Sequence, residues 1–219
     1  QSLPQGGTPV YFGAKDGWDH AVTDIQGLHL LLKQRFPGVP QLLLGHSMGS
    51  FLSRTYLIRF PGEKQGAVLM GTGWQPGYML TGGLLVAGAV AARKGPDATS
   101  SLVTELAFGS YNKAFAPNRT SCDWLSADPE NVDRYMVDPL CGADATVGLF
   151  REMLHGIRFN QKNVNLVRMD PDMPVLFVSG DQDPETVIFQ DTAVVGDLPV
   201  LCTLVSQAHE VHVQPLQGE

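Results

Sequence analysis

Cysteine is scarce in this chain. Cys122, Cys141 and Cys202 are the only three, far apart and outside any C-x-x-C pattern. That argues against a disulfide framework and a cysteine-built zinc site, so they read as reduced thiols and no metal is expected. Charge is sparse as well, at 17% of residues and with no long run of one sign. The 22 acidic residues exceed the 15 basic ones, giving a net charge of −7, which argues against a nucleic-acid partner. No apolar run is long enough to span a bilayer comfortably. The longest uncharged stretch, Gly66 to Ala92, is broken by Gly71, Gly73, Pro76 and Gly77. The opening QSLPQGGTPV has no secretory pattern, and a cytoplasmic location is expected. It starts with glutamine rather than methionine, so the expectation is a fragment of a longer chain. What remains is ordinary for a globular protein: 219 residues, 43% apolar, enough for a sizeable core.

The most informative stretch is LLLGHSMGSFLSRTYLIRF, residues 42–60. Leu42, Leu43 and Leu44 form a short continuous apolar run that suits a buried parallel strand. Met48, Phe51, Leu52, Thr55 and Ile58 then recur at helical spacing until Phe60-Pro61-Gly62 ends the pattern. A G-x-S-x-G turn between a strand and a helix presents its serine clear of the sheet. The expectation is that Gly45 and Gly49 make this tight bend tolerable because they carry no Cβ. The first N–H groups of the helix point back at Ser47, which favours a developing anion there.

Upstream, Asp16 can cap a helix whose Trp18, Ala21, Val22, Ile25, Leu28 and Leu32 share one face, ending at Phe36-Pro37-Gly38. Downstream, Ala67 to Met70 reads as a second strand, and the strand–helix–strand rhythm implies a parallel sheet. The rhythm stops from Trp74 to about Asn165. That stretch reads as a helical cap, with Tyr78, Met79, Leu80, Leu84, Leu85, Leu106, Phe108 and Phe115 forming an apolar surface able to hold an acyl chain or to pack on the main domain. Strand character resumes at residues 174–180 and 199–205. The expected organisation is therefore 1–73 as a first core part carrying the turn, 74–165 as the cap, and 166–219 as a second core part. The expected class is α/β, a mostly parallel sheet with helices on both faces.

A serine hydroxyl needs an imidazole base, and the imidazole needs a carboxylate to orient it. Ser47, Asp183 after one strand and His209 after the next supply these side chains at three strand ends, where open α/β sheets place their ligands. Asp181 is a rival for the acid and His212 for the base. His46, adjacent to the serine, is poorly placed for proton transfer to it. His46, Trp74, Tyr78 and Leu80 are the candidate substrate-contacting residues.

FGAKDGWDHAVTDIQGLH (12–29), GHSMGSFLSRTYLIRF (45–60), DWLSADPENVDRYMVDPLCG (123–142) and VLFVSGDQDP (175–184) together resemble the bacterial lysophospholipase and monoacylglycerol-lipase-like branch of the α/β hydrolases, also called serine aminopeptidase or Hydrolase_4. The likeness runs over roughly residues 10 to 185. It implies an α/β-hydrolase fold lacking its early strands, with Ser47 as nucleophile, Asp183 as acid, His209 as base and the N–H of Met48 as one oxyanion donor. The family's second oxyanion donor comes from an early His-Gly loop. The one His-Gly pair here, His155-Gly156, falls inside the cap instead. The implied activity is hydrolysis of lipid-type carboxylic esters, lysophospholipid or monoacylglycerol, without a cofactor. The implied partners are a small acyl ester and a membrane surface met transiently. The rival reading is a catalytically impaired homologue that acts at most as a lipid-binding module.

Overall fold

The computed structural model describes residues 8–13, 15–180, 183, 200–205 and 211–215. The elements run α1 (Gly17–Arg35), β1 (Leu42–His46), α2 (Met48–Arg59), β2 (Gly66–Met70), α3 (Gly77–Lys94), α4 (Ser101–Lys113), a 3-10 turn (Asp123–Leu125), α5 (Pro129–Val137), α6 (Val147–Asn160), α7 (Asn163–Leu166), β3 (Val175–Gly180), β4 (Val200–Val205) and β5 (Val211–Pro215). One sheet has the spatial order β1-β2-β3-β4-β5. Its first four strands are parallel. The β5 strand returns antiparallel to β4 and places His212 opposite Leu204. No final strand is predicted from the sequence; an antiparallel edge strand tolerates the proline that ends this one, Pro215.

The chain divides into two compact units. One comprises residues 18–77 and 155–219, and the other residues 1–17 and 78–154. The first holds the sheet with α1, α2 and α7; α6 crosses the boundary. Side chains that alternate along the strands separate the two faces of the sheet. Ala67, Leu69, Val175, Phe177 and Ser179 are buried, while Val68, Met70, Leu176 and Val178 are half-buried. On the latter face, in register with Val68, Leu44 is 64% exposed, and Leu42 is 70% exposed. Among the described residues β1 pairs only with β2, so it is an edge strand with apolar side chains in water.

The predicted face of α1 holds at Trp18 and Val22, which are buried, and fails at Leu28 and Leu32, which are exposed. The buried stripe continues through His29 instead. Its Nε2 lies 2.8 Å from Glu63 Oε2, and its Nδ1 faces both Gln41 Oε1 and Lys64 Nζ, donating to the first when protonated and accepting from the second when not. Specific polar partners here outweigh the transfer of a leucine from water, and the helix turns its leucines outward. By contrast α2 is buried nearly all round, from Ser50 to Ile58. A network of buried hydrogen bonds locks it. The Trp18 indole donates to Thr55 Oγ1 at 3.0 Å, the Thr55 hydroxyl donates to Asn160 Oδ1 at 2.7 Å, and Asn160 Nδ2 donates to the Phe51 carbonyl at 2.8 Å.

The helical unit closes around Ala87 and Ala91 of α3, Val103 of α4, and Val147 and Phe150 of α6, with Phe108 packed against them. Small residues on α3 let the neighbouring helices approach, so the larger apolar side chains are displaced outward. Of the apolar set predicted there, Leu80 is buried, whereas Tyr78, Met79, Leu85 and Leu106 are exposed.

Candidate active site

Ser47 sits between β1 and α2 with φ 51° and ψ −124°, a conformation that L-residues rarely adopt and that surrounding structure must enforce. The enforcement is visible on both sides. The Ser47 N–H donates to the Met70 carbonyl of β2 at 2.9 Å, and the Ser47 carbonyl accepts from the Ser50 N–H at 2.8 Å and the Ser50 hydroxyl at 2.6 Å. A Cβ at position 45 would collide with the Gly49 carbonyl oxygen and Ser53 Oγ, so the strand and helix can meet only at a glycine. The equivalent expectation for Gly49 is corrected: a Cβ there meets nothing within 4 Å among the described residues. The carbonyl oxygen of Gly49 makes the close approach, not its hydrogen side. The Met48 N–H lies in the first turn of α2, where N–H groups lack an intrahelical acceptor.

The loop after β2 forms the neighbouring wall. The Gly71 N–H donates to the Val178 carbonyl at 2.9 Å and holds the loop against β3. Gly71 has φ +52°, and the point its Cβ would occupy lies 3.6 Å from both His46 Nε2 and Asp183 Oδ2. Glycine here lets the imidazole next to the serine and the carboxylate after β3 come up to the same backbone from two sides. Asp183 is half-buried. Its Oδ2 accepts from the Ser179 hydroxyl at 3.1 Å and its N–H donates to the Gly180 carbonyl at 3.2 Å. The loop is pinned farther along by Arg54 of α2, which donates from Nη1 to the Gly73 carbonyl at 3.0 Å. Burial pushes that guanidinium down to about 10, since desolvation disfavours its charge. Next to it, Gln75 and Gln161 exchange two hydrogen bonds, at 3.0 and 2.8 Å. The buried Thr72 hydroxyl has no hydrogen-bond partner among the described residues.

Of the residues predicted from sequence, Ser47, His46, Asp183 and the loop leading to the half-buried Trp74 gather at the C-terminal ends of β1, β2 and β3. His209 and Asp181 lie outside the described residues, and of His212 only the backbone in β5 is described. Tyr78 and Leu80 belong to α3 in the helical unit, the first largely exposed and the second buried. Sequence reasoning missed Arg54, Thr72 and Ser179. The one available signal was a lone arginine inside the apolar pattern of α2. A separate cavity of about 310 Å³, lined by His29, Lys33, Gln41, Glu63 and Gln65 among others, lies at the opposite, N-terminal ends of β1 and β2. Among the described residues no cluster of histidine, cysteine, aspartate or glutamate could hold a metal ion.

A strained serine between strand and helix, with a carboxylate two strands away, is the arrangement described for nucleophile elbows. The model of the family Hydrolase_4, serine aminopeptidase, S33, matches residues 5–208. This chain belongs to that family. As an S33-family chain it is similar to a monoacylglycerol lipase of Mycolicibacterium smegmatis, 27% identical over 164 residues that make up 74% of this chain and 51% of the relative. Among solved structures, a thermostable carboxyl esterase from Bacillus coagulans superposes with a TM-score of 0.76 at 17% identity, over 91% of this chain and 65% of that one. A monoacylglycerol lipase of Paleococcus ferrophilus gives a TM-score of 0.60 at 20% identity, over 90% and 66%. These likenesses establish the α/β-hydrolase fold. The chain spans about half the length of the curated relative it matches.

Proposed function

We propose that this S33-family chain carries the nucleophilic half of a serine hydrolase acting on lipid-type carboxylic esters, monoacylglycerol or lysophospholipid. The observation that carries the reading is Ser47, held at positive φ at the start of α2 by a hydrogen bond it donates to β2 and those it accepts from its own helix. Ser47 Oγ attacks the acyl carbon while His209 takes its proton. The negative charge that develops on the carbonyl oxygen falls against the Met48 N–H and the positive end of α2. Collapse expels the alcohol, protonated by the imidazole, and leaves an acyl-serine that water hydrolyses by the same route. Asp183 orients the imidazole and stabilises its charged form. His46, Trp74, Tyr78 and Leu80 remain the proposed substrate contacts. The exposed apolar side chains of α3 and α4 offer a lipid aggregate a surface for transient contact.

Labelling with a fluorophosphonate tests the nucleophile. The wild-type chain is expected to label at Ser47 and Ser47→Ala not at all; hydrolysis of a short-chain monoacylglycerol then falls by roughly 10³-fold or more. Comparing monoacylglycerol with lysophosphatidylcholine assigns the head group. The alternative reading is a lipid-binding homologue without turnover. A folded wild-type chain that binds monoacylglycerol but does not label decides for it.

A further inference from the structure

The face of α1 that points away from the core carries a pattern of its own. Asp24, Leu28, Leu31 and Arg35 recur at four-, three- and four-residue steps and so form one stripe. Leu28 is 58% and Leu31 63% exposed, and Asp24 and Arg35 are exposed as well. Neither charge has an ion-pair partner among the described residues; the Arg35 guanidinium only lies over the Phe36 ring at 5.9 Å. The stripe is complementary to its own reverse: two leucines lie between an acid at one end and a base at the other.

We propose that α1 is a two-fold interface in which two copies of this chain lay their α1 helices antiparallel, crossing between Leu28 and Leu31. A two-fold axis there makes the contact isologous. It sets Leu28 against Leu31 of the second copy and Asp24 against its Arg35, each pair occurring twice. It also sets Gly27 against Leu32 of the second copy. A Cβ on Gly27 would meet nothing within 4 Å among the described residues, so this position is an open notch there, and Leu32 is an exposed side chain of a size to enter it. Opposite charges at the two ends fix the antiparallel orientation, since the parallel one would bring Asp24 to Asp24 and Arg35 to Arg35. One 19-residue helix pair covers less than the ~800 Å² per partner of a standard interface. The dimer is therefore weak, with a Kd on the order of micromolar.

Sedimentation equilibrium of the purified chain, from about 1 to about 200 µM, reads this without depending on catalysis. The wild type is expected to move from one to two chain masses across that range. Asp24→Arg alone and Arg35→Asp alone each weaken the dimer by about tenfold, because two attractive pairs become repulsive. Mixing the two single variants restores association, since every 24–35 pair across the mixed dimer is again of opposite sign. So does the double variant Asp24→Arg/Arg35→Asp. All these substitutions are on the surface, and circular dichroism checks that the fold is kept. A wild type that stays monomeric throughout overturns the proposal and leaves the leucine stripe to a different partner. Open-ended oligomers indifferent to the charge swaps also overturn it and point to the β1 edge.

Discussion

Gly45 and Gly49 look equivalent in the motif, and their surroundings separate them. A methyl group at position 45 would strike backbone and the Ser53 hydroxyl, whereas one at 49 enters open space in the first turn of α2. Gly45→Ala is therefore expected to cost about 1–3 kcal/mol and several degrees of melting temperature. Gly49→Ala should be neutral or stabilising by up to ~1 kcal/mol, as alanine is the better helix former. Thermal melts of the two variants check both. Elsewhere, the Glu63 carboxyl is held below its usual range first by the hydrogen bond from His29 and further by Lys33, against the opposing effect of desolvation. Because its folded value lies below the unfolded one, the unfolded chain takes up the proton first on acidification. The stability it contributes is present above about 4.5 and is lost as pH falls through the folded value. Melting temperatures between about pH 6 and pH 3 should fall less steeply for Glu63→Gln than for the wild type. The residues that could be read from the sequence were those whose chemistry is local, Ser47 and the glycine before it. His29 could not be, since its burial depends on Gln41, Glu63 and Lys64, which only folding brings together.

At the scale of elements, α2, the helix that follows Ser47, is held by long-range polar contacts rather than by an apolar stripe. Trp18, Thr55, Asn160 and the Phe51 carbonyl join α1, α2 and the end of α6 in a buried, mutually satisfied network. Asn160→Leu keeps the branched shape, though not the size, and leaves the Phe51 carbonyl and the Thr55 hydroxyl without this partner. A loss of about 1–3 kcal/mol follows, measurable by denaturant unfolding. The strands β2 and β3 were legible as apolar runs because strands buried in parallel sheets need continuous apolar sequence. The run of β1 was equally legible, but the burial expected of it fails, since among the described residues β1 is an edge strand with Leu42 and Leu44 exposed. The strand β5 was not, since VHVQP carries no more than a short alternation and its pairing with β4 is decided in space. The outward turn of Leu28 and Leu32 escaped the helical pattern for the same kind of reason. Periodicity locates faces on a helix, but not which face the neighbours cover.

For the molecule as a whole, sparse charge and a net −7 set how it meets surfaces. The acidic chain should avoid anionic membranes, while the exposed Tyr78, Met79, Leu85 and Leu106 of the helical unit should favour a membrane without net charge. Co-sedimentation is expected with phosphatidylcholine vesicles more than with phosphatidylserine vesicles, and Leu85→Glu should reduce it. Among the described residues no helix is long and apolar enough to cross a membrane. The linear order of residues was enough for the fold class and for the position of the strained serine, because strand, turn and helix there are encoded by neighbours in the chain. Which leucines meet water, what satisfies His29, and how His46 and Asp183 reach the same glycine were settled only by folding. Each of these depends on groups dozens of residues apart, whose competition for burial and hydrogen bonds no short window of sequence contains.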